Sequence, residues 1–396
     1  VFVRRVLAVC GVLAVLVVAG CGRGTAVDGD DPPLVRPAWQ SVTLPAPPGA
    51  PGRPMVRDAV VCAGHWFLVG GVADGSGVIR PAVWSSGDGL VWSALPVSPS
   101  SFYGRQQLLY AAACREARLA ALGAATGGVH GNPRTSSWIQ ASGGALREVP
   151  APFERFGGPR AVSAARVVGG PAGWLIVGAR ADGAAVWTSV DGGGFTLREG
   201  LPELAGDGRG RTSAYDGSAL GPGWLVVGAV LPAGGTVLAP VAWTSADGVG
   251  WRRVELPAPG GRGQAQRVVA VAGSVVAVGP VGDGFAAWRA SVAAGAAGSW
   301  RRVGGFPAAG SGVASVAGLA GVDRVLVAAV ADGEGHALWC SADSGGSWSP
   351  VVMPAEVPDR GDAAVSVVAH GGRLLLAADD GQGSRAWWAP VSAVDR

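Results

Sequence analysis

The 396 residues are 49% hydrophobic and 15% charged, with 67 Gly and 28 Pro, a composition that excludes disorder and describes a turn-rich chain with ample core material. All 31 basic residues are Arg, set against 28 acidic ones for a formal charge of +3, so no strongly basic domain argues for a nucleic-acid partner. The 16 Trp beside 3 Tyr and 8 Phe form an imbalance that their positions have to explain.

Arg4 and Arg5 precede an apolar run from Val6 to Ala19, which ends in Val18-Ala19-Gly20-Cys21. A positive start, a short apolar stretch and small residues before a cleavage point predict a secretory signal over residues 1–20. The run is too short for a comfortable transmembrane helix. Its last four residues resemble the bacterial lipobox, which implies cleavage before Cys21 and a diacylglycerol on that thiol. The resemblance places the protein outside the cytoplasm, lipid-anchored at the outer face of the cytoplasmic membrane; an ordinary secreted protein is the other reading. Residues 21–36 are rich in Gly, Asp and Pro without periodicity and read as a flexible tether.

From residue 37 to 396 the chain repeats. Trp84, Trp138, Trp187, Trp243, Trp288, Trp339 and Trp387 are spaced by 54, 49, 56, 45, 51 and 48 residues. Around them recur strings such as AVWSSGDGLVWSALP and VAWTSADGVGWRRVELP, preceded by short apolar runs such as GWLVVGAV and SVVAVG. Runs of four to six residues punctuated by Gly predict strands and tight turns. Four strands at this period are the blade of a propeller, which buries its faces against neighbouring blades. The expected fold is all-β: seven four-stranded blades. The last repeat lacks a fourth strand, whereas residues 38–45, AWQSVTLP, carry fourth-strand text ahead of the first repeat. They are expected to close the last blade.

Between third and fourth strands, Ser341 to Trp348 fits the Asp-box pattern Ser-x-Asp-x-Gly-x-x-Trp, and Ser86 to Trp92, Ser189 to Phe195 and Ser245 to Trp251 are one residue shorter. Residues 38–396 therefore resemble bacterial-neuraminidase-repeat propellers of sialidase type. In such folds the box is structural, so the resemblance implies turn-forming roles for Asp88, Asp191, Asp247 and Asp343. It also implies what a sialidase would need: an arginine triad for the substrate carboxylate, a Tyr with a Glu partner, and an Asp acid/base. The Arg-Ile-Pro signature is absent, its nearest text being Ile79-Arg80-Pro81 in a second-to-third strand loop. Of Tyr103, Tyr110 and Tyr215, only Tyr215 sits early in a first strand, and Glu154 is the one nameable partner.

His65, His130, His336 and His370 are too scattered for a metal centre, and no nucleotide-binding motif is present, so no cofactor and no metal is expected. Cys62 and Cys114 occupy the same position in adjacent repeats, where a disulfide or two buried thiols are both open; an exported compartment permits the bond. Arg57, Arg105, Arg160, Arg211, Arg262 and Arg360 fall in the connections leading into first strands. There they form either an anion-attracting rim around one channel mouth or ordinary loop charge, neutralised by Glu154, Asp207, Asp359 and Asp362. The leading functional reading is a monomeric binding or scaffolding propeller without catalysis, facing a protein or glycan partner in the cell envelope. The alternatives are a sialidase-type glycoside hydrolase and an assembly factor for an envelope complex. The absence of Lys and the single Asn132 point to a GC-rich genome of actinobacterial kind.

Overall fold

The computed structural model describes residues 32–126, 133–258, 260, 262–293 and 295–395. The expected signal, Cys21, most of the tether and His130 lie outside the described residues. Among those described, no helix is long and apolar enough to cross a membrane.

Seven sheets follow one another along the chain, antiparallel except where Val97–Ser98 pairs in parallel with Leu146–Glu148 at the edge of the second. Blades 1 to 6 span 53–95, 108–148, 161–198, 210–255, 267–307 and 315–351; blade 7 combines 364–390 with 40–42. Each runs from an inner strand outward. The inner strands of consecutive blades lie side by side all the way round, the seventh against the first. The hydrophobic side chains gather into seven clusters, one for each blade-to-blade interface, including Trp84 and Leu68 of blade 1 with Leu375 and Ala377 of blade 7. This explains the second strands, such as Gly173–Arg180, in which all eight residues are buried. A strand covered on both faces has no solvent side to alternate with.

The predicted closure is present: Gln40, Ser41 and Val42 pair antiparallel with Trp388, Trp387 and Ala386. Ordered packing begins earlier than the expected tether boundary at 36. Val35 is buried and pairs in parallel with Val351 of blade 6, and the Trp39 indole donates to the Val352 carbonyl at 2.8 Å. The N-terminal segment therefore fastens blade 6 as well as completing blade 7.

The repeat Trp has a polar task as well as an apolar one. Trp84, Trp187, Trp243 and Trp288 donate their indole N–H to Pro45, Arg155, Glu203 and Pro257 carbonyls at 2.8, 2.6, 2.8 and 2.8 Å. Each acceptor lies in the connection arriving from the preceding blade. A Trp fills the interface and pins the incoming chain, which Phe cannot do because it has no N–H.

Five inner strands carry a bulge, with Arg57, Tyr110, Ala165, Tyr215 and Ala317 as extra residues. Facing the bulge, the second strands of blades 3 and 4 need Gly. A Cβ at Gly178 or Gly228 would stand 2.1 or 2.0 Å from the carbonyl oxygens of Ser163 or Ser213, so only glycine permits the approach.

Cys62 and Cys114, at the ends of the first two inner strands, are joined by a disulfide with Cα atoms 5.1 Å apart. It spans 52 residues of sequence. Its removal, by Cys62→Ser with Cys114→Ser, is expected to cost about 2–4 kcal/mol, read from the urea midpoint; an unshifted midpoint would refute this. Cys340 is a free thiol, buried in blade 6, and burial pushes its pKa up to about 11.

Candidate functional site

The inner strands start at one face of the ring, here the upper face, and end at the lower face, where the turns between third and fourth strands also lie. One register position crosses the channel as a layer. In blade order it holds Asp58, Ala111, Arg166, Asp216, Arg267, Gly318 and Ser366. Arg166 Nη1 meets Asp58 Oδ2 at 2.6 Å, and Asp58 also accepts the Ala112 N–H and the Ser366 hydroxyl. Arg166 and Arg267 both donate to the Ala317 carbonyl, at 3.4 and 3.1 Å. Asp216 accepts the Val268 N–H at 3.0 Å. The two Arg166 bonds cross the channel to blades 1 and 6, and the others join adjacent blades. Burial raises the Asp216 pKa, and burial assisted by Arg166 lowers that of Arg267 to about 10. Beneath the layer a cavity of about 430 Å³ runs to the lower ends of the inner strands, between aliphatic walls such as Val60, Val168 and Leu319.

A second cavity, of about 410 Å³, opens on the upper face between blades 2 and 3. The Arg134 guanidinium lies over the rings of Phe153 and Tyr103, 4.2 and 5.0 Å from their centroids. Phe102, Tyr103 and Phe153 remain 60, 37 and 49% exposed, which is unusual for three neighbouring aromatic side chains on a soluble surface. Below them the Glu148 carboxylate accepts from the N–H and hydroxyl groups of both Ser100 and Ser101 and from the Ser136 hydroxyl. Burial would raise the Glu148 pKa, but these bonds, led by Ser101, outweigh it and hold the group below its ordinary value. The cavity thus has a rigid, ionised floor and an aromatic rim.

The six arginines of the expected rim separate into two kinds. Arg57 and Arg211 lie within inner strands rather than in the connections, because the strands begin at Arg53 and Gly210. Arg57 is bound to Asp379 at 2.7 Å, and Arg160 pairs with Asp182 and Glu199. Arg105, Arg211, Arg262 and Arg360 are exposed and make no ion pair among the described residues. Of the acids expected to neutralise the rim, Asp362 pairs with Arg53 and Asp207 with Arg209 and Arg253, none of them a rim member. Ile79-Arg80-Pro81 lies in the third strand of blade 1, not in a loop. Arg80 there donates to the Pro47 and Ala50 carbonyls.

The carboxylates of Asp88, Asp191, Asp247 and Asp343 face their own turns. Asp88 accepts the Leu90 and Val91 N–H, Asp247 those of Val249 and Gly250, Asp343 those of Gly346 and Ser347, and Asp191 that of Gly193. The partner serines, such as Ser245, accept the following Gly N–H. His65 opens a second strand, His370 ends a first strand and His336 opens a third. No group of three or more His, Cys, Asp or Glu among the described residues is placed to hold a metal.

Asp58, Arg166, Asp216, Arg267 and Arg134 were not singled out from the sequence. Two of them, Arg166 and Arg267, had a usable signal: a lone charge in an apolar inner strand, as in AARVVGG and QAQRVVAV, has to find a partner; Asp58 and Asp216 share their strands with other charges. Arg134 had none, since its aromatic neighbours come from two separate connections.

No family model matches the chain, and no curated protein matches it. Among solved structures the chain is similar to the phage phi92 endosialidase, with TM-score 0.50 and 10% identity over 90% of this chain and 69% of that one. It is also similar to an α-L-arabinofuranosidase from Fusarium graminearum, with TM-score 0.45 and 13% identity over 76% of this chain and 98% of that one. The Trypanosoma rangeli sialidase gives TM-score 0.45 and 12% identity over 90% of this chain, which spans 60% of that sialidase. At these identities the likeness is one of fold.

Proposed function

We propose that this chain is a glycan-recognising propeller of the cell envelope, held at the outer face of the cytoplasmic membrane by a lipid on Cys21. The observation that carries the reading is the upper-face cavity between blades 2 and 3, where Tyr103 and Phe153 flank Arg134 above the fixed Glu148 carboxylate. Sugar rings offer one apolar face and an edge of hydroxyls. Exposed aromatic rings beside fixed polar groups complement both. The disulfide supports an oxidising compartment. An array of envelope oligosaccharides tests the reading. Binding by the wild type is expected, with a loss of tenfold or more in the Tyr103→Ala, Phe153→Ala double variant, whose fold is checked by its melting curve. No binding to any glycan, with a protein partner recovered by proximity labelling, would replace this reading with that of an assembly factor. Cys21→Ser should move the protein from the membrane to the soluble fraction.

A second reading, a sialidase-type glycoside hydrolase, has support from the fold shared with the phage endosialidase. It is also favoured by Tyr215, which the blade 4 bulge sets next to the channel residue Asp216. Turnover of fluorogenic sialosides or arabinofuranosides that disappears in Tyr215→Phe would establish it.

A further inference from the structure

The channel layer contains one charge pair that is complete and one that is not. Asp58 and Arg166 are in contact at 2.6 Å. Arg267, by contrast, spends its N–H groups on the carbonyls of Ala317 and Gln266, with no carboxylate oxygen within 4.0 Å among the described residues. Asp216 accepts the Val268 N–H, with no guanidinium nitrogen within the same distance among those residues. Both groups are half-buried, and a charge partly withdrawn from water and held only by backbone dipoles lacks part of the compensation that water supplied before folding. The shifts of both groups toward their neutral forms express that deficit. Both groups line the cavity of about 430 Å³, whose wall also includes the aliphatic residues Val60, Val167, Val269, Leu319 and Val368.

We propose that this cavity binds a small zwitterion of α-amino-acid type, with its carboxylate toward Arg267, its ammonium toward Asp216 and an aliphatic side chain against the walls. The two charges of such a ligand complete the unpaired half of the layer, and charge-assisted hydrogen bonds are the strong kind. A ligand with one charge would leave either Asp216 or Arg267 facing an uncharged group, and a site with opposed charges discriminates by that cost. The site lies in the channel below the layer, separate from the upper-face cavity proposed for glycans, so neither reading depends on the other.

Titration calorimetry of the full-length protein with L-leucine, its N-acetyl derivative, its methyl ester and glycine tests the assignment. L-leucine is expected to bind, and each singly capped form to bind at least tenfold more weakly, which corresponds to about 1.4 kcal/mol or more. Glycine should be weaker for want of wall contact. No heat from L-leucine, or equal affinity for the capped forms, would overturn the zwitterion. Equal affinity for glycine would overturn the role of the walls. These comparisons use the wild type alone, so they stand even where a channel variant fails to fold. In Asp216→Asn, if folded by its melting curve, the tenfold penalty for acetylating leucine should shrink to near unity; its persistence would count against Asp216 as the ammonium partner.

Discussion

Replacing Arg166 with Met should lower the unfolding free energy by about 3–5 kcal/mol, the range for removing one partner of a buried ion pair. Arg166 bridges Asp58 of blade 1 and the Ala317 carbonyl of blade 6, so its loss cuts two bonds that cross the channel. It also strands the Asp58 carboxylate, whose side chain is 11% exposed, with one N–H and one hydroxyl for company. Methionine keeps most of the volume, so a cavity is not the cause. Chemical denaturation measures the loss. The double variant Asp58→Asn, Arg166→Met should recover part of it, because the stranded charge is gone, and the cycle isolates the pair. A single variant as stable as wild type would show that the layer is not a structural hub.

Deleting residues 33–45 should have the larger effect, roughly 5 kcal/mol or more. The deletion removes the outer strand of blade 7 together with the Val35 pairing and the Trp39 bond on blade 6. It exposes clusters against which Val35, Trp39, Val42 and Leu44 pack, and each buried apolar side chain contributes about 1.5–3 kcal/mol. The new edge of blade 7 would carry unpaired N–H and C=O groups, a template for aggregation. Thermal unfolding, compared with a truncation that stops at residue 32, separates the segment from simple shortening. Equal melting temperatures for the two truncations would reject closure by this strand.

Much of the ring was legible because its repeat is written in Trp spacing and in Gly-bounded apolar runs. Both follow from local physics: a strand buried on two faces is apolar throughout, and the indole N–H selects Trp at the third strand. Residues 38–45 were legible as a displaced fourth strand by the same text match. Val35 was not, because a single parallel bridge leaves no pattern among Pro and Asp. The channel layer was hidden for a different reason. Asp58, Arg166, Asp216 and Arg267 lie in separate repeats, and only ring geometry brings them together. The rim arginines show the converse. Their shared position in the repeat was visible, but the acids that engage Arg57 and Arg160, namely Asp379, Asp182 and Glu199, come from a strand of another blade and from a turn and a strand end that no repeat text marks.

Blade 7 draws its strands from both ends of the described chain, and this orders events in time as well as in space. While the polypeptide is emerging, blades 1 to 6 can form from neighbouring sequence. Gln40–Val42 must wait for Ser384–Pro390. Contacts this remote in sequence carry a high loop-closure cost and form late. Until then the nascent molecule is an open arc with two raw sides, and its exposure is greatest just before Ser384–Pro390 emerges. The disulfide joins blades 1 and 2 at the opposite end of this schedule, so an oxidant can lock the first pair of blades long before the last one exists. A chain stalled before Ser384–Pro390 is made would therefore be covalently ordered in its first two blades and sticky in its last.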